Sequence, residues 1–196
     1  MKNLFSSTKK SSLGIFKESF LELQHVTTLV LTAFFIGLAI VIGFYTIQIG
    51  EIIKIGFSFI AVALTGFMFG PVVGGLMGGL TDIISFVIKP TGPFFPGFTL
   101  TSILSGMVYG IFLYKKPISL LRVFLAKFTV SLFLNLFLST FWLNMLYGKA
   151  FIPLLATRCI KQAVMLPIEV ALLYVVMKSL EKANVFSLVQ KKDQTN

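Results

Sequence analysis

Several stretches of about 20 mostly apolar residues follow one another along this chain, and no other feature restricts its fold as strongly. A helix of about 20 residues crosses the roughly 30 Å of hydrocarbon in a bilayer. The sequence is 56% hydrophobic and 12% charged, whereas a soluble domain has about 45–50% apolar and about 25% charged residues. Lipid leaves only helices and closed barrels as spanning structures, and continuous apolar runs exclude the barrel. The sequence therefore predicts an all-α integral membrane protein.

Six transmembrane helices account for these apolar runs. Pro90 closes the third of them, because a proline inside a helix removes a hydrogen bond and clashes with the preceding turn. We place the six spans at residues 26–47, 52–69, 71–88, 98–114, 118–146 and 151–180.

Lysine and arginine set the predicted orientation. They cluster near the N-terminus, between the fourth and fifth spans, and after the sixth span. By the positive-inside rule both termini are cytoplasmic. Residues 1–25 are then a cytoplasmic tail with an interfacial helix, residues 26–180 the membrane substrate-binding domain, and residues 181–196 a second cytoplasmic tail.

The composition argues against several classes of function. The net charge is +10, but the cations show no basic face interleaved with aromatics, so we expect no nucleic-acid partner. A single cysteine, Cys159, leaves no disulfide framework, and a single histidine, His25, leaves no histidine pair for a metal. A serine–histidine–aspartate set could use only His25, which we expect to be an interfacial polar residue. The one Gly-Lys pair, in "LNMLYGKA", lacks the glycine and hydroxyl of a phosphate-binding loop. We therefore expect no cofactor and no ATPase site of the chain's own.

Charged residues inside the predicted spans point to a ligand site, because such charges are costly in lipid and usually face a cavity or a partner. Asp82 lies about 9 Å from the end of the third span and could accept hydrogen bonds from a ligand's amino and ring N–H groups. Arg158, Lys161 and Gln162 share one face of the sixth span and could hold an anionic solute. The alternatives are bonds from neighbouring hydroxyls to Asp82 and snorkelling of the two cations.

Two further polar sets accompany these charges. Lys127 and Glu169 lie at similar depth in the fifth and sixth spans, so we expect them to pair and to play a structural role. Trp142 and Asn144 are level with Arg158 and are candidate ligand contacts, although Trp142 could also be an interfacial anchor.

The connection after the third span, "KPTGPFFPGFTL", is stiff and aromatic. Prolines 90, 93 and 96 forbid a continued helix and restrict the residues before them. The phenylalanines at 94, 95 and 98 could then stack on a flat heterocycle at little ordering cost. The alternative is an ordinary re-entrant turn anchored at the headgroups.

The first span carries small residues four apart, Ala33 and Gly37, in "TAFFIGLAIVIG". Such spacing lets another helix approach closely in lipid. The pair could pack within the bundle or receive a partner membrane subunit. Glycines 70, 74 and 78 show the same spacing in "GPVVGGLMGG", where tight packing inside the bundle is favoured.

The segment "GPVVGGLMGGLTDIISFVIKPTGPFFPGFTLTSILSGMVYGIFLY" resembles the substrate-binding S subunits of energy-coupling factor (ECF) vitamin transporters, most closely the folate-specific ones. The "GPFFPGFTL" element, which contains Gly97 and Thr99, carries most of that likeness. "KIGFSFIAVALTGFMFGP" and "PLLATRCIKQAVMLPIEVALLY" support it, so that the resemblance covers about residues 26–180.

The resemblance implies a six-helix subunit of a prokaryotic plasma membrane that captures one vitamin from outside with high affinity. It implies a membrane-embedded coupling subunit, contacted through Ala33 and Gly37, and two cytoplasmic ATPase subunits that hydrolyse ATP while this subunit topples in the bilayer. Among the vitamins, folate best suits the charged and aromatic residues described above. Ten residues are therefore candidate contacts for folate. These are Asp82, Phe95, Gly97, Phe98, Thr99, Trp142, Asn144, Arg158, Lys161 and Gln162.

Other readings stay open at this point. The cargo could be riboflavin, thiamine, pantothenate or a queuosine precursor. Thiamine is a cation and riboflavin lacks carboxylates, so both fit the predicted charges less well than folate does. Pantothenate lacks a large ring for the predicted aromatic contacts. An unrelated membrane enzyme or channel is the second alternative, but a membrane enzyme should show clustered histidines or acidic motifs.

Overall fold

The computed structural model describes residues 12–49, 53–90, 92–148 and 151–182. Within these ranges the chain is almost entirely helical, with one short two-stranded ribbon. The elements are α1 (Ser12–Glu22), α2 (Val26–Phe44), β1 (Ile47–Ile49), β2 (Ile53–Ile55), α3 (Phe59–Ile88), α4 (Pro96–Leu113), α5 (Leu120–Thr129), a π-helical segment (Val130–Leu138), α6 (Ser139–Tyr147) and α7 (Phe151–Lys182). The predicted tails at residues 1–11 and 183–196 lie outside the described residues.

Helix α3 is two arms that fold back on each other at Gly70. Gly70 has φ +88°, a conformation that glycine adopts without steric cost, and Pro71 begins the second arm. A Cβ built on Gly74 would lie 2.9 Å from the Cα of Gly66, whereas a straight helix separates two such positions by about 12 Å. The predicted break between residues 69 and 71 is therefore confirmed.

Five helical stretches of the described chain are long and apolar enough to cross a membrane, if α3 is counted once. They are α2, α3, α4, the continuous run from α5 to α6, and α7. Because α3 consists of two arms, the predicted set of six helices fits the structure. The first arm, residues 59–69, is only about 16 Å long, shorter than the hydrocarbon thickness.

Two predicted boundaries are wrong at the same place. Residues 45–47 and 53–58 were assigned to helical spans, but α2 ends at Phe44 and α3 begins at Phe59. Between them β1 and β2 pair antiparallel, with Gln48 opposite Lys54. Isoleucines alternate with these polar residues, and strict alternation of β-branched and polar residues favours strands over helix.

The two ends of the bundle differ, and we name them by their landmarks. At the Gly70 end, the buried Ser19 of α1 donates a hydrogen bond to the Phe69 carbonyl at 2.7 Å and accepts one from the Val72 N–H at 3.0 Å. At the ribbon end lie β1 and β2, both termini of α3, and the start of α4. Helix α1 occupies the segment where we expect an interfacial helix; its place at a membrane surface stays a prediction.

A salt bridge and a tyrosine tie α1 to the loop after α4. Lys115 pairs with Glu18 at 3.0 Å, and the Tyr114 hydroxyl donates to Glu22 Oε1 at 3.2 Å. Burial raises the pKa of Tyr114, so this hydroxyl stays protonated and able to donate at neutral pH. The N-terminal helix is thereby fixed against the Gly70 end.

Helices α3 and α4 pack backbone to backbone through glycines. A Cβ on Gly74 would lie 2.8 Å from the Gly106 carbonyl oxygen, and one on Gly66 would lie 2.9 Å from the Gly110 nitrogen. No side chain can occupy such positions unless a backbone moves. The main apolar core, which includes Leu113, Val123 and Met177, lies between α4, α5 and α7.

We expect Gly106→Ala to destabilise the protein, because its Cβ would clash with the backbone of Gly74 and Gly75. Overpacking of this kind costs about 1–3 kcal/mol. Gly37→Ala is the matched control, since a Cβ there meets no atom within 4 Å and both changes bring the same gain in helix propensity. Thermal unfolding of the purified protein in detergent measures the difference. Equal melting temperatures for the two variants would contradict the packing described for α3 and α4.

Candidate functional site

A cavity of about 630 Å³ opens between the helices near the ribbon end. That volume falls within the range of about 300–1,000 Å³ that is usual for small-molecule sites. Its walls come from the end of α2, both ends of α3, the start of α4, the π-helical segment, α6 and α7. Residues far apart in the sequence therefore meet around one space.

One wall of the cavity, formed by α3 and α4, is acidic and rich in hydroxyls. The half-buried Asp82 accepts hydrogen bonds from Thr99 Oγ1 at 2.7 Å and from Ser102 Oγ at 3.4 Å. Ser85 and Ser105 line the same wall. Since a carboxylate can accept about four hydrogen bonds, Asp82 retains acceptor capacity toward the cavity. Two alternatives were considered for Asp82, hydrogen bonds from neighbouring hydroxyls or contact with a ligand. The structure gives Asp82 both hydroxyl donors and a cavity of ligand size.

Another part of the cavity lining is cationic and belongs to α7. Arg158, Lys161 and Gln162 all line the cavity, as their shared helix face predicts. Nη1 of Arg158 donates to the Asn135 carbonyl at 3.1 Å and to Thr140 Oγ1 at 3.3 Å. These two bonds hold the guanidinium against the π-helical segment and α6.

The π-helical segment explains why a backbone carbonyl can bind Arg158. In an α-helix the Ser139 N–H would bond to the carbonyl of Asn135, four residues back. Here it donates to the carbonyl of Leu134, five residues back. The carbonyl of Asn135 thus becomes an acceptor for Arg158. π-Helical geometry is rare in proteins and is frequently found at functional sites.

The deepest part of the cavity holds an ion pair. Lys127 Nζ lies 3.2 Å from Glu169 Oε2 and 3.4 Å from the centroid of the Phe59 ring. The predicted pairing of Lys127 with Glu169 is confirmed. Both residues also line the cavity, so the pair forms part of the cavity wall in addition to joining α5 and α7.

Aromatic rings close the cavity at the ribbon end. The ring of Phe95 lies 6.0 Å from that of Phe98 and 5.5 Å from that of Trp142, centroid to centroid. Trp142 Nε1 donates to Thr101 Oγ1 at 3.2 Å, which orients the indole. At Gly97 a Cβ would come within 2.6 Å of Trp142 Cδ2, so only glycine permits this ring cluster.

The ten predicted ligand residues divide into three groups. Six line the cavity: Asp82, Phe95, Phe98, Arg158, Lys161 and Gln162. Gly97, Thr99 and Trp142 do not line it but contact residues that do. Asn144 is not among the lining residues; its backbone carbonyl accepts the Gly148 N–H at the end of α6.

Sequence reasoning did not assign several polar residues of the walls to the ligand site, namely Ser85, Ser102, Ser105, Asn135 and Ser139. Serines at 102 and 105 lie three apart on the α4 face that also carries Thr99. That spacing was a usable signal. Nothing in the local sequence indicated the π-helical geometry that places Asn135.

The predicted partner-contact residues lie on the outer surface of α2. Ala33 and Gly37 are exposed, and the space beside Gly37 is open. Val30 and Val41 flank them and are 61% and 55% exposed. The described part of the chain therefore leaves this small-residue face uncovered.

Comparison with known proteins gives consistent results. A model of the family "ECF transporter, substrate-specific component" matches residues 27–189. "Folate transporter FolT" of Clostridium novyi (strain NT) is 39% identical over 170 residues, which is 86% of this chain and 98% of that protein. A protein of the same name from Leuconostoc mesenteroides subsp. mesenteroides is 30% identical over 156 residues, covering 76% of this chain and 84% of that one.

A solved structure described as "Crystal structure of FolT bound with folic acid" has a similar fold. It matches with a TM-score of 0.73 and 32% sequence identity, covering 78% of this chain and 93% of that chain. The family match extends over most of the sequence, and the relatives match over most of their own length. This chain is a multi-pass membrane protein that belongs to the family of substrate-specific components of ECF transporters.

Proposed function

We propose that this chain is the folate-binding membrane subunit of an ECF-type, ATP-driven vitamin importer. It captures folate with high affinity from outside the cell and carries no ATPase site or cofactor of its own. A membrane-embedded coupling subunit and two cytoplasmic ATPase subunits supply the energy, and the subunit delivers its cargo by toppling in the bilayer. It resides in the plasma membrane of a bacterium with both termini cytoplasmic, so that the ribbon end faces outward.

The observation that carries this proposal is the presence of opposite charges in the lining of one cavity. Asp82 lies on the wall formed by α3 and α4, while Arg158 and Lys161 lie on the α7 wall. Folate has the complementary pattern. Its flat pterin presents an amino group and a ring N–H that a carboxylate can accept, and its glutamate tail carries two carboxylates that suit an arginine fork and a lysine.

The aromatic cluster fits the middle of such a ligand. Phe95 and Phe98 line the cavity, and the Trp142 ring contacts the Phe95 ring at a tilt of 50°. Offset or edge-on contacts with an aromatic ligand ring add about 0.5–1.5 kcal/mol beyond area burial. The names of the relatives from Clostridium novyi and Leuconostoc mesenteroides support the same choice of cargo.

Titration of the purified protein with folic acid should quench its tryptophan emission at nanomolar concentrations. The emission reports on one place, because Trp142 is the only tryptophan and lies in the aromatic cluster. Riboflavin is the control and should leave the trace unchanged at equal concentrations once its own absorbance is corrected. Flat traces for folic acid and its reduced forms would refute the proposed cargo.

Arg158→Ala should weaken the binding of folic acid far more than that of 6-hydroxymethylpterin, which lacks the glutamate. Losing a charge-assisted contact costs about 1.5–3 kcal/mol, which corresponds to about 10–150-fold in affinity. Arg122→Ala is the matched control, since Arg122 is partly exposed in α5. Its Nη1 donates to the Pro117 carbonyl, and Arg122 does not line the cavity. Calorimetric titration gives both affinities. Equal losses for the two ligands would contradict the role of Arg158 at the tail.

Ala33→Leu should abolish folate uptake while leaving folate binding intact, because the larger side chain would obstruct close approach of the coupling subunit to α2. Ala171→Leu is the control, since Ala171 is also exposed but lies on α7. Uptake of radiolabelled folate by cells that co-express the coupling and ATPase subunits measures transport. Normal uptake by Ala33→Leu would show that this face is not the docking surface.

A further inference from the structure

The connection between α4 and α5, residues 114–119, brings a group of cations together at the Gly70 end of the bundle. Lys115 and Lys116 lie in this connection, and Arg122 lies in the first turn of α5. Within the described part of the chain, Lys115 pairs with Glu18 at 3.0 Å, whereas neither Lys116 nor Arg122 pairs with a carboxylate. Two positive charges of the group are therefore not neutralised by the fold. We call Lys116 and Arg122 the loop cations.

Backbone carbonyls hold the loop cations in place. Lys116 Nζ donates to the Ile111 carbonyl at 2.6 Å, and Arg122 Nη1 donates to the Pro117 carbonyl at 3.0 Å. A carbonyl orients a cation without cancelling its charge, and both side chains keep further N–H donors. Burial lowers the pKa of Lys116, and the positive charge of Arg122 lowers it further. The loop cations thus lie near enough to repel each other, and an anion bound between them would remove that repulsion.

Exposed apolar side chains adjoin the loop cations. Leu120 and Leu121 begin α5 and are 53% and 65% exposed. Phe124 and Leu125 are exposed one turn further on and share a helix face with Leu121. In a bilayer such a face is covered by acyl chains. The loop cations therefore lie where hydrocarbon gives way to headgroups, which is the level at which lipid phosphates are found.

We propose that the loop cations, Lys116 and Arg122, bind the phosphate of an anionic phospholipid such as phosphatidylglycerol, whose acyl chains lie along the exposed face of α5. A guanidinium matches two phosphate oxygens with parallel N–H groups, and the ammonium adds a point charge. Phosphatidylcholine carries a cation of its own, which the loop cations repel. It should therefore bind more weakly than phosphatidylglycerol.

This inference takes only the orientation of the chain from the proposed function. In that orientation the Gly70 end faces the cytoplasm, and the cytoplasmic leaflet carries the negative surface potential of anionic lipids. The identity of the transported vitamin does not enter the argument.

Two other roles for the loop cations compete with lipid binding. Lys116 bonds a carbonyl in the last turn of α4, where a cation also complements the helix dipole, so its role could be confined to capping. An acidic surface of another transporter subunit could also meet the two charges. The exposed leucines favour a lipid, because a lipid brings an anion and apolar chains to the site together.

The test compares the full-length protein, purified in mild detergent, with the double variant Lys116→Gln/Arg122→Gln. Native mass spectrometry measures the binding of phosphatidylglycerol and of phosphatidylcholine with identical acyl chains. Removing a basic residue near an anionic lipid surface should weaken binding about 5-fold, so the double variant should bind phosphatidylglycerol about 30-fold more weakly. Its binding of phosphatidylcholine should not change. An unchanged preference for phosphatidylglycerol in the double variant would overturn the proposal.

Two controls test the site and the source of the anion. Lys178→Gln/Lys182→Gln removes the same charge from exposed positions in the last turns of α7 and should keep the wild-type preference. An equal loss in this control would show a response to overall charge and would overturn the site. Glycerol 3-phosphate has the phosphate without acyl chains and should not bind. Binding as tight as that of the lipid would overturn the lipid assignment in favour of a soluble anion.

Thermal unfolding gives a second readout, which needs no variant. Phosphatidylglycerol should raise the melting temperature of the wild-type protein more than phosphatidylcholine does, and the difference should vanish in about 1 M salt, where charges are screened within about 3 Å. Equal rises for the two lipids would contradict the proposal even if the double variant did not fold.

Further measurements separate this inference from the competing roles and from the proposed function. A double variant that kept its lipid preference but no longer copurified with the coupling and ATPase subunits would assign the loop cations to a protein contact instead. Its affinity for folic acid should equal that of the wild type, because neither loop cation lines the cavity. If the wild-type protein bound no folate but preferred phosphatidylglycerol, the proposed function would fail and the lipid site would stand.

Discussion

The reversal of α3 at Gly70 is the constraint on which the rest of the structure depends. It brings the start of the first arm, at Phe59, level with Asp82 and Ser85 near the end of the second arm, so that all three border one cavity. A straight helix would place Phe59 and Ser85 about 39 Å apart. The turn needs the positive φ of Gly70, and Ser19 of α1 satisfies backbone groups on both sides of it. A serine at one end of the bundle thus helps to form a ligand site at the other.

Charge in this protein is placed where the fold can neutralise or orient it. Isolated ions are expensive in a low-dielectric interior, and each charge bordering the cavity for which we give contacts has a specific neighbour. Lys127 has Glu169 and the Phe59 ring, Asp82 has two hydroxyls, and Arg158 has a backbone carbonyl and Thr140. Neutral dipoles orient Asp82 and Arg158 without cancelling their charge. These two groups can therefore still attract ligand groups of opposite sign, whereas the Lys127–Glu169 pair is largely neutralised.

The sequence allowed the helical class, the break before Pro71 and the Lys127–Glu169 pair to be predicted, because each depends on a local rule. Proline and glycine interrupt helices wherever they occur, and two opposite charges at equal depth in lipid are expected to meet. The ribbon at residues 47–55 was missed because its isoleucines resemble a helical span when only hydrophobicity is counted. The position of Asn135 could not be predicted, since it depends on a π-helical segment. That geometry depends on packing between helices, and no short stretch of sequence encodes it.

Small residues illustrate why spacing alone leaves function open. Ala33 and Gly37 on α2 have the same four-residue spacing as Gly74 and Gly78 on α3. On α3 the glycines face α4, and their missing side chains let two backbones touch. On α2 the small residues face outward, and within the described chain nothing covers them. In lipid, where burial of apolar surface drives association weakly, close backbone approach supplies much of the attraction between helices. The same local pattern therefore acts as helix packing inside the bundle, whereas on the surface of α2 the described part of the chain leaves it uncovered.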